Sequence, residues 1–176
     1  MTNDKTAVTY DGEQIDKVNE NLSLIQKKDG LRFSTDAYLL AAFAKPFPNG
    51  TLIDLGSGTG VIPLLCLTKN KYASATAIEI QPEFASLIER NAVLNSLESR
   101  LTAKCADVRD FSKFGLTEAA DIVTANPPYQ KATHGFPNAA DKMSAARREL
   151  NGDISDFCRA ASACLKFGGL FYTVYV

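Results

Sequence analysis

The residues most suited to chemistry stand where an apolar run breaks. Ile122-Val123-Thr124-Ala125 reads as a strand and stops at Asn126-Pro127-Pro128-Tyr129. A proline has no N–H to give a sheet and pushes the residue before it out of the helical region. The strand therefore ends there and the chain stays extended just beyond it. An amide, two rigid carbonyls and an aromatic ring are thereby gathered at the tip of a buried strand. Tyr129 adds a flat face for stacking, a contact worth about 1–3 kcal/mol for a nucleic-acid base. A stiff strand-to-loop turn uses the same four residues, so the surroundings must decide.

A second group lies upstream. Thr51-Leu52-Ile53-Asp54-Leu55 leads into Gly56-Ser57-Gly58-Thr59-Gly60. Glycines permit positive φ and close approach of a ligand to the backbone, and the helix that follows is expected to offer free N–H groups to something anionic. The spacing G-x-G-x-G after an acid differs from the G-x-G-x-x-G of nicotinamide-binding turns. Two more acids follow later strands. Glu79 ends the second, where a carboxylate can accept from a ribose diol, and Asp107 follows the third, where it can accept from an exocyclic amine. Each alone reads as a cap or loop residue. Three acids after three successive strands, in register with a glycine turn, point to a nucleoside cofactor.

The elements that must position these groups alternate. Residues 51–55, 74–80, 101–106, 121–126 and 170–176 read as strands, and 60–70, 82–95 and 152–169 as helices, the last closed by Gly168-Gly169. Pro82 suits a first helical position. Such alternation predicts an α/β fold, a mostly parallel sheet with helices on both faces. Before it, residues 21–33 read as two extended runs around Asp29-Gly30, a hairpin signal. A helix follows with Ser34 as its cap and Leu39, Leu40 and Phe43 at helical spacing, closed by Pro46 and Pro48. The expected division is a hairpin-and-helix unit over 1–50 and a core over 51–176. The sequence stops on its fifth core strand, so C-terminal strands are expected to be missing.

The totals fit a globular protein: 176 residues, 45% apolar and 22% charged. The N-terminus is polar and unlike a secretory signal, and the cytoplasm is the expected compartment. Four cysteines without C-x-x-C spacing and a single histidine, His134, argue against a metal site and a disulfide scaffold. Net charge is −1, giving no global basic field. Between Asn126 and Arg148, however, Lys131, Lys142, Arg147 and Arg148 face a single acid, Asp141. They read either as a solvated loop or as contacts to phosphates.

Asp54 to Gly60, Ile78-Glu79-Ile80, Ala106-Asp107-Val108 and Asn126 to Tyr129 together resemble the S-adenosylmethionine-dependent class I methyltransferases, in particular the branch that methylates amino groups. The resemblance implies a Rossmann-like fold and S-adenosylmethionine as cofactor. It implies that Asp54, Gly56, Gly58 and Gly60 hold the methionine portion, that Glu79 binds the ribose hydroxyls and that Asp107 meets the adenine. Ile80 and Val108 lie beside those acids in the cofactor site. It implies a catalytic role for Asn126, which also borders the cofactor, with Pro127 and Tyr129. The chemistry is consistent. A conjugated amine is a poor nucleophile and a methyl sulfonium is already activated, so two acceptors fixing the amine in line help more than a metal or a strong base. His134 receives no role.

Residues 24–43 and 145–150, taken with Asn126 to Tyr129, resemble the bacterial tRNA1(Val) adenine-37 N6-methyltransferases over essentially the whole chain. In that family the segment matching Arg32, Phe33, Ser34, Thr35 and Asp36 closes over the methionine end of the cofactor; a packed hairpin fits the same residues. The implied substrate is an adenine in a tRNA anticodon loop, already single-stranded and cheap to unstack, with Lys131, Lys142, Arg147 and Arg148 at its phosphates. Two alternatives stand: N5-methylation of a glutamine in a protein such as a release factor, and a non-catalytic methyltransferase-like binding domain. The last is expected to have lost Asp54, Asn126 or a glycine of the turn, and all are present.

Overall fold

The computed structural model describes residues 8–28, 34–127 and 152–174. In chain order these form β1 (Glu13–Asn19), β2 (Leu22–Lys27), α1 (Thr35–Phe43), β3 (Phe47–Leu55), α2 (Val61–Thr68), β4 (Tyr72–Glu79) and α3 (Pro82–Leu94). Then come β5 (Leu101–Cys105), a 3₁₀ segment (Val108–Lys113), β6 (Ala120–Ala125), α4 (Ile154–Cys164) and β7 (Leu165–Thr173). Strands β3 to β7 make one sheet in the order β5-β4-β3-β6-β7, every neighbouring pair parallel. The order reverses at β3, which has β4 on one side and β6 on the other, and ligands of open parallel sheets sit beyond the strand ends at that point.

Burial on both faces explains why residues 51–55 of β3 and strand β6 are nearly continuous apolar runs rather than alternations. Leu52, Ala75, Ala77 and Ile122 join the cluster under α1, α2, α3 and β2. Ile53, Leu55, Ile78 and Val123 join the opposite cluster under α4 and the 3₁₀ segment. Helix α2 is buried on every side from Val61 to Leu67, so it carries no polar stripe.

The expected hairpin turn at Asp29-Gly30 and the run after it lie outside the described residues; β2 pairs antiparallel with the upstream β1, with Ile15 opposite Ile25. Two expectations need correction. In α1 only Leu40 of the three apolar positions is buried, beside Ala37 and Ala41, while Leu39 and Phe43 are 59% and 79% exposed. Ser34 occupies the N-cap without a side-chain hydrogen bond. Finally, α4 ends at Cys164 instead of running to Gly169, and β7 begins at Leu165. The N–H groups of Glu118 and Ala119 take the carbonyls of Ala163 and Cys164, which satisfies the helix end early. The two glycines fall instead in a register irregularity of β7 between Leu165 and Leu170, with Gly168 at φ +79.

Candidate functional site

The site begins with a buried acid. Asp54 and Thr124 are register partners on β3 and β6 and project to the same face of the sheet. Thr124 Oγ1 donates to Asp54 Oδ1 at 2.6 Å, and Ser57 Oγ donates to Asp54 Oδ2. Both oxygens are thus engaged inside the fold, tying the glycine turn to the strand that delivers Asn126. Burial pushes the Asp54 carboxyl up to about 7, against the two donated hydrogen bonds that favour its charged form.

The turn itself is fastened to β4. Gly56 and Ser57 donate their N–H groups to the Ile78 carbonyl at 2.9 and 3.0 Å, and Gly60 donates to Ser57 O at 2.9 Å. Gly58 donates to Glu79 Oε2 at 2.8 Å. These four amides are therefore taken up within the protein rather than offered to an anionic ligand, because the end of β4 and, for Gly60, the turn itself supply acceptors within reach. Two glycines are required as such. Gly56 has φ +67 and a Cβ there would lie 3.1 Å from the Phe157 ring; Gly60 has φ +80 and its Cβ would meet Ile88 at 3.1 Å.

Glu79 is buried at the end of β4. Its second oxygen, Oε1, accepts from the Gln81 N–H at 3.0 Å. Each carboxylate oxygen so keeps unused acceptor capacity. Asp107 is held differently. It caps the 3₁₀ segment by accepting from the Arg109 N–H at 2.9 Å, and the Arg109 guanidinium lies across both its oxygens, Nε at 2.9 Å from each. That hydrogen-bonded guanidinium holds the Asp107 carboxyl below its ordinary range.

A cleft opens beyond the strand ends, lined among the described residues by Gly56, Glu79, Ile80, Gln81, Ala106, Val108, Asn126, Pro127 and Phe157. Six positions expected from sequence converge there: Gly56, Glu79, Ile80, Val108, Asn126 and Pro127. Asp54 and Gly60 are buried and, like the partly exposed Gly58, are not among the lining residues, and Asp107 sits between Ala106 and Val108, which are. Thr35 opens α1 as an exposed residue and is not among the lining residues. Tyr129, Arg32, Phe33, Lys131, Lys142, Arg147 and Arg148 lie outside the described residues. Sequence reading missed Gln81, Ala106 and Phe157 at the cleft and Thr124 beneath it. Thr124 carried a signal, a hydroxyl inside an apolar strand; Phe157, on α4 and distant in sequence, carried none. Among the described residues no cluster of His, Cys, Asp or Glu could hold a metal ion, and no helix is long and apolar enough to cross a membrane.

Known proteins resemble this chain in sequence and in fold. The chain is similar to the tRNA1(Val) (adenine(37)-N6)-methyltransferase of Shewanella sediminis, 31% identical over 76% of this chain and 54% of the relative. To the protein of that name from a Flavobacteriaceae bacterium it is 29% identical, over 72% of this chain and 52% of the relative. The chain spans about half the length of these curated relatives. Among solved structures, P. horikoshii TYW2 in complex with MeSAdo superposes with a TM-score of 0.62 at 21% identity, over 93% of this chain and 52% of that one. That likeness establishes the Rossmann-like methyltransferase fold. The family model of the methyltransferase small domain matches residues 29–175, and the chain belongs to that family.

Proposed function

We propose that this protein binds S-adenosylmethionine in the cleft and methylates the N6 amine of an adenine in tRNA, the reaction named for the relatives at position 37 of tRNA1(Val). One observation carries the reading: a buried acceptor, Glu79, and the strand-end pair Asn126 and Pro127 line a single cleft with Gly56 between them. The residues fit the cofactor. Glu79 keeps acceptor capacity for a ribose diol, and Gly56, in the wall of the cleft, leaves a surface that a side chain would fill. When bound, S-adenosylmethionine supplies an electrophilic methyl group.

The chain's own residues do the rest. Asn126 Oδ1 and the Pro127 carbonyl accept the two N–H bonds of the target amine and turn its nitrogen into line. They also stabilise the positive charge that grows there. Tyr129 stacks on the base, and Lys131, Lys142, Arg147 and Arg148 meet the phosphates of the anticodon loop. Arg32, Phe33 and Thr35, in the N-terminal unit over residues 1–50, cover the methionine end above the core over 51–176. A tRNA substrate places the protein in the cytoplasm.

Incubation with methyl-labelled S-adenosylmethionine and either total tRNA or a release factor tests this reading. Label is expected in tRNA, as N6-methyladenine. Label in the release factor would move the substrate to a glutamine, and no binding of the cofactor would remove the enzymatic reading. Asn126→Ala is expected to bind cofactor nearly as well as the wild type and to lower kcat about 10²–10³-fold, the size of one preorganised contact.

A further inference from the structure

We infer that Asn91 is a positioning residue that couples the β1–β2 hairpin to the glycine turn, so that order in one imposes order on the other. This rests on the reading above that the turn borders the cofactor. Asn91 is fully buried on α3. Its Oδ1 accepts from the Ile25 N–H at 2.6 Å, and its Nδ2 donates to the carbonyls of Ile25 at 3.3 Å and Thr59 at 3.1 Å.

The amide thus does for β2 what a neighbouring strand would do, since one residue of β2 both donates to it and accepts from it. Asn95 repeats the motif on Ser23, accepting from its N–H at 3.0 Å and donating to its carbonyl at 2.8 Å. The spacing explains how a helix can replace a strand. Four residues of helix advance about 6 Å and two residues of strand advance about 6.6 Å, so side chains at i and i+4 of the helix meet backbone groups at j and j−2 of the strand, which runs the opposite way. Two asparagines give β2 an edge partner opposite β1.

The two differ in where the remaining N–H goes. Asn95 Nδ2 donates to Asn91 O of its own helix at 2.7 Å, whereas Asn91 Nδ2 reaches Thr59 O in the glycine turn. Thr59 precedes Gly60, the left-handed residue that opens α2. Movement of the hairpin is therefore passed to the turn through Asn91, and Asn95 provides a control that ties hairpin to helix alone.

Native-state hydrogen exchange without any ligand tests the coupling first. In the wild type the Ile25 and Gly60 amides should exchange through one shared opening, with equal opening free energies that respond alike to denaturant. Separate openings would overturn the inference, and this arm needs no variant to fold. Asn91→Ala should deprotect both amides, while Asn95→Ala deprotects Ser23 and leaves Gly60 protected. For S-adenosylmethionine, calorimetry should show about tenfold weaker binding in Asn91→Ala and a change within about twofold in Asn95→Ala, although both lose stability. Affinity losses that merely follow the drop in Tm for both variants would make Asn91 a structural residue. A wild type that binds no S-adenosylmethionine would sink the functional reading alone, and the exchange experiment would still decide the coupling.

Discussion

Glu79 and Asp107 stand at the same rim of the sheet, after neighbouring strands β4 and β5, and the protein holds them in opposite ways. Glu79 is buried, and each oxygen is fixed by a backbone N–H, from Gly58 and from Gln81. Asp107 is partly exposed, and its oxygens are covered by the side chain of Arg109. Backbone donors are part of the fold and cannot leave, so Glu79 presents the same geometry with or without a ligand. A guanidinium on a flexible stem is a removable counter-charge, and any ligand donor that meets Asp107 must take its place. One wall of the cleft is preorganised; the other has to exchange partners.

The preorganised wall extends below the surface to Asp54, where the largest effect is expected. Its folded carboxyl titrates at about 7 rather than 3.8, so the folded protein keeps a proton that the unfolded chain releases. Stability from this group is complete below pH 3.8, declines by up to about 1.4 kcal/mol per pH unit as pH rises toward 7, and is flat above. Urea midpoints should therefore fall between pH 5 and pH 7, and Asp54→Asn, neutral at every pH, should flatten that part of the profile. A wild-type midpoint that rises over this interval would mean that the Ser57 and Thr124 hydroxyls keep Asp54 ionised.

Glu79→Ala comes next, with S-adenosylmethionine affinity expected to drop by about 1–3 kcal/mol in calorimetry, since a charge-assisted acceptor is lost. The same change strips an acceptor from the Gly58 and Gln81 amides, so thermal stability should fall too. Unchanged affinity would place the ribose elsewhere and leave Glu79 as a fastener of the turn.

How far the sequence foretold this arrangement depended on where each residue's partners lie along the chain. Residues 51–55 of β3 and strand β6 were legible because burial on both faces makes them nearly continuous apolar runs, β4 through Ala75, Ala77 and Ile78 at its buried end, and α3 because Pro82 marks its start. Strand β1 was missed. Its residues, Glu13 to Asn19, are mixed in polarity, and Ile15 is half exposed, so no two-residue alternation survives. The end of α4 was misplaced because its last carbonyls are satisfied by Glu118 and Ala119, some 45 residues earlier, and no glycine signal reports that. At the site, residues following strands in register left a local pattern, as Gly56, Glu79, Asn126 and Pro127 did, whereas Ile80 and Val108 came only with the family resemblance. Phe157 and Asn91 left none: an aromatic and an amide on amphipathic helices look like core and surface, and only tertiary contact gives them their neighbours.

The smallest effect belongs to the exchangeable wall. An exposed ion pair contributes little and weakens in salt, so Arg109 is expected to be a mild competitor for Asp107 rather than a block. Arg109→Ala leaves the backbone N–H at position 109 to hold Asp107 in its capping geometry and removes only the guanidinium. S-adenosylmethionine affinity at low salt should then improve by no more than a few-fold. The gain should vanish at high ionic strength, where the wild-type pair is already screened, whereas the loss in Glu79→Ala should persist because its contacts are buried. Arg109→Lys, a single charge without the two-pronged grip, should fall between the two. Weaker binding in Arg109→Ala at every salt concentration would reverse the assignment: Arg109 would be holding the Asp107 carboxylate toward the ligand, and both walls of the cleft would be preorganised, one by backbone and one by side chain.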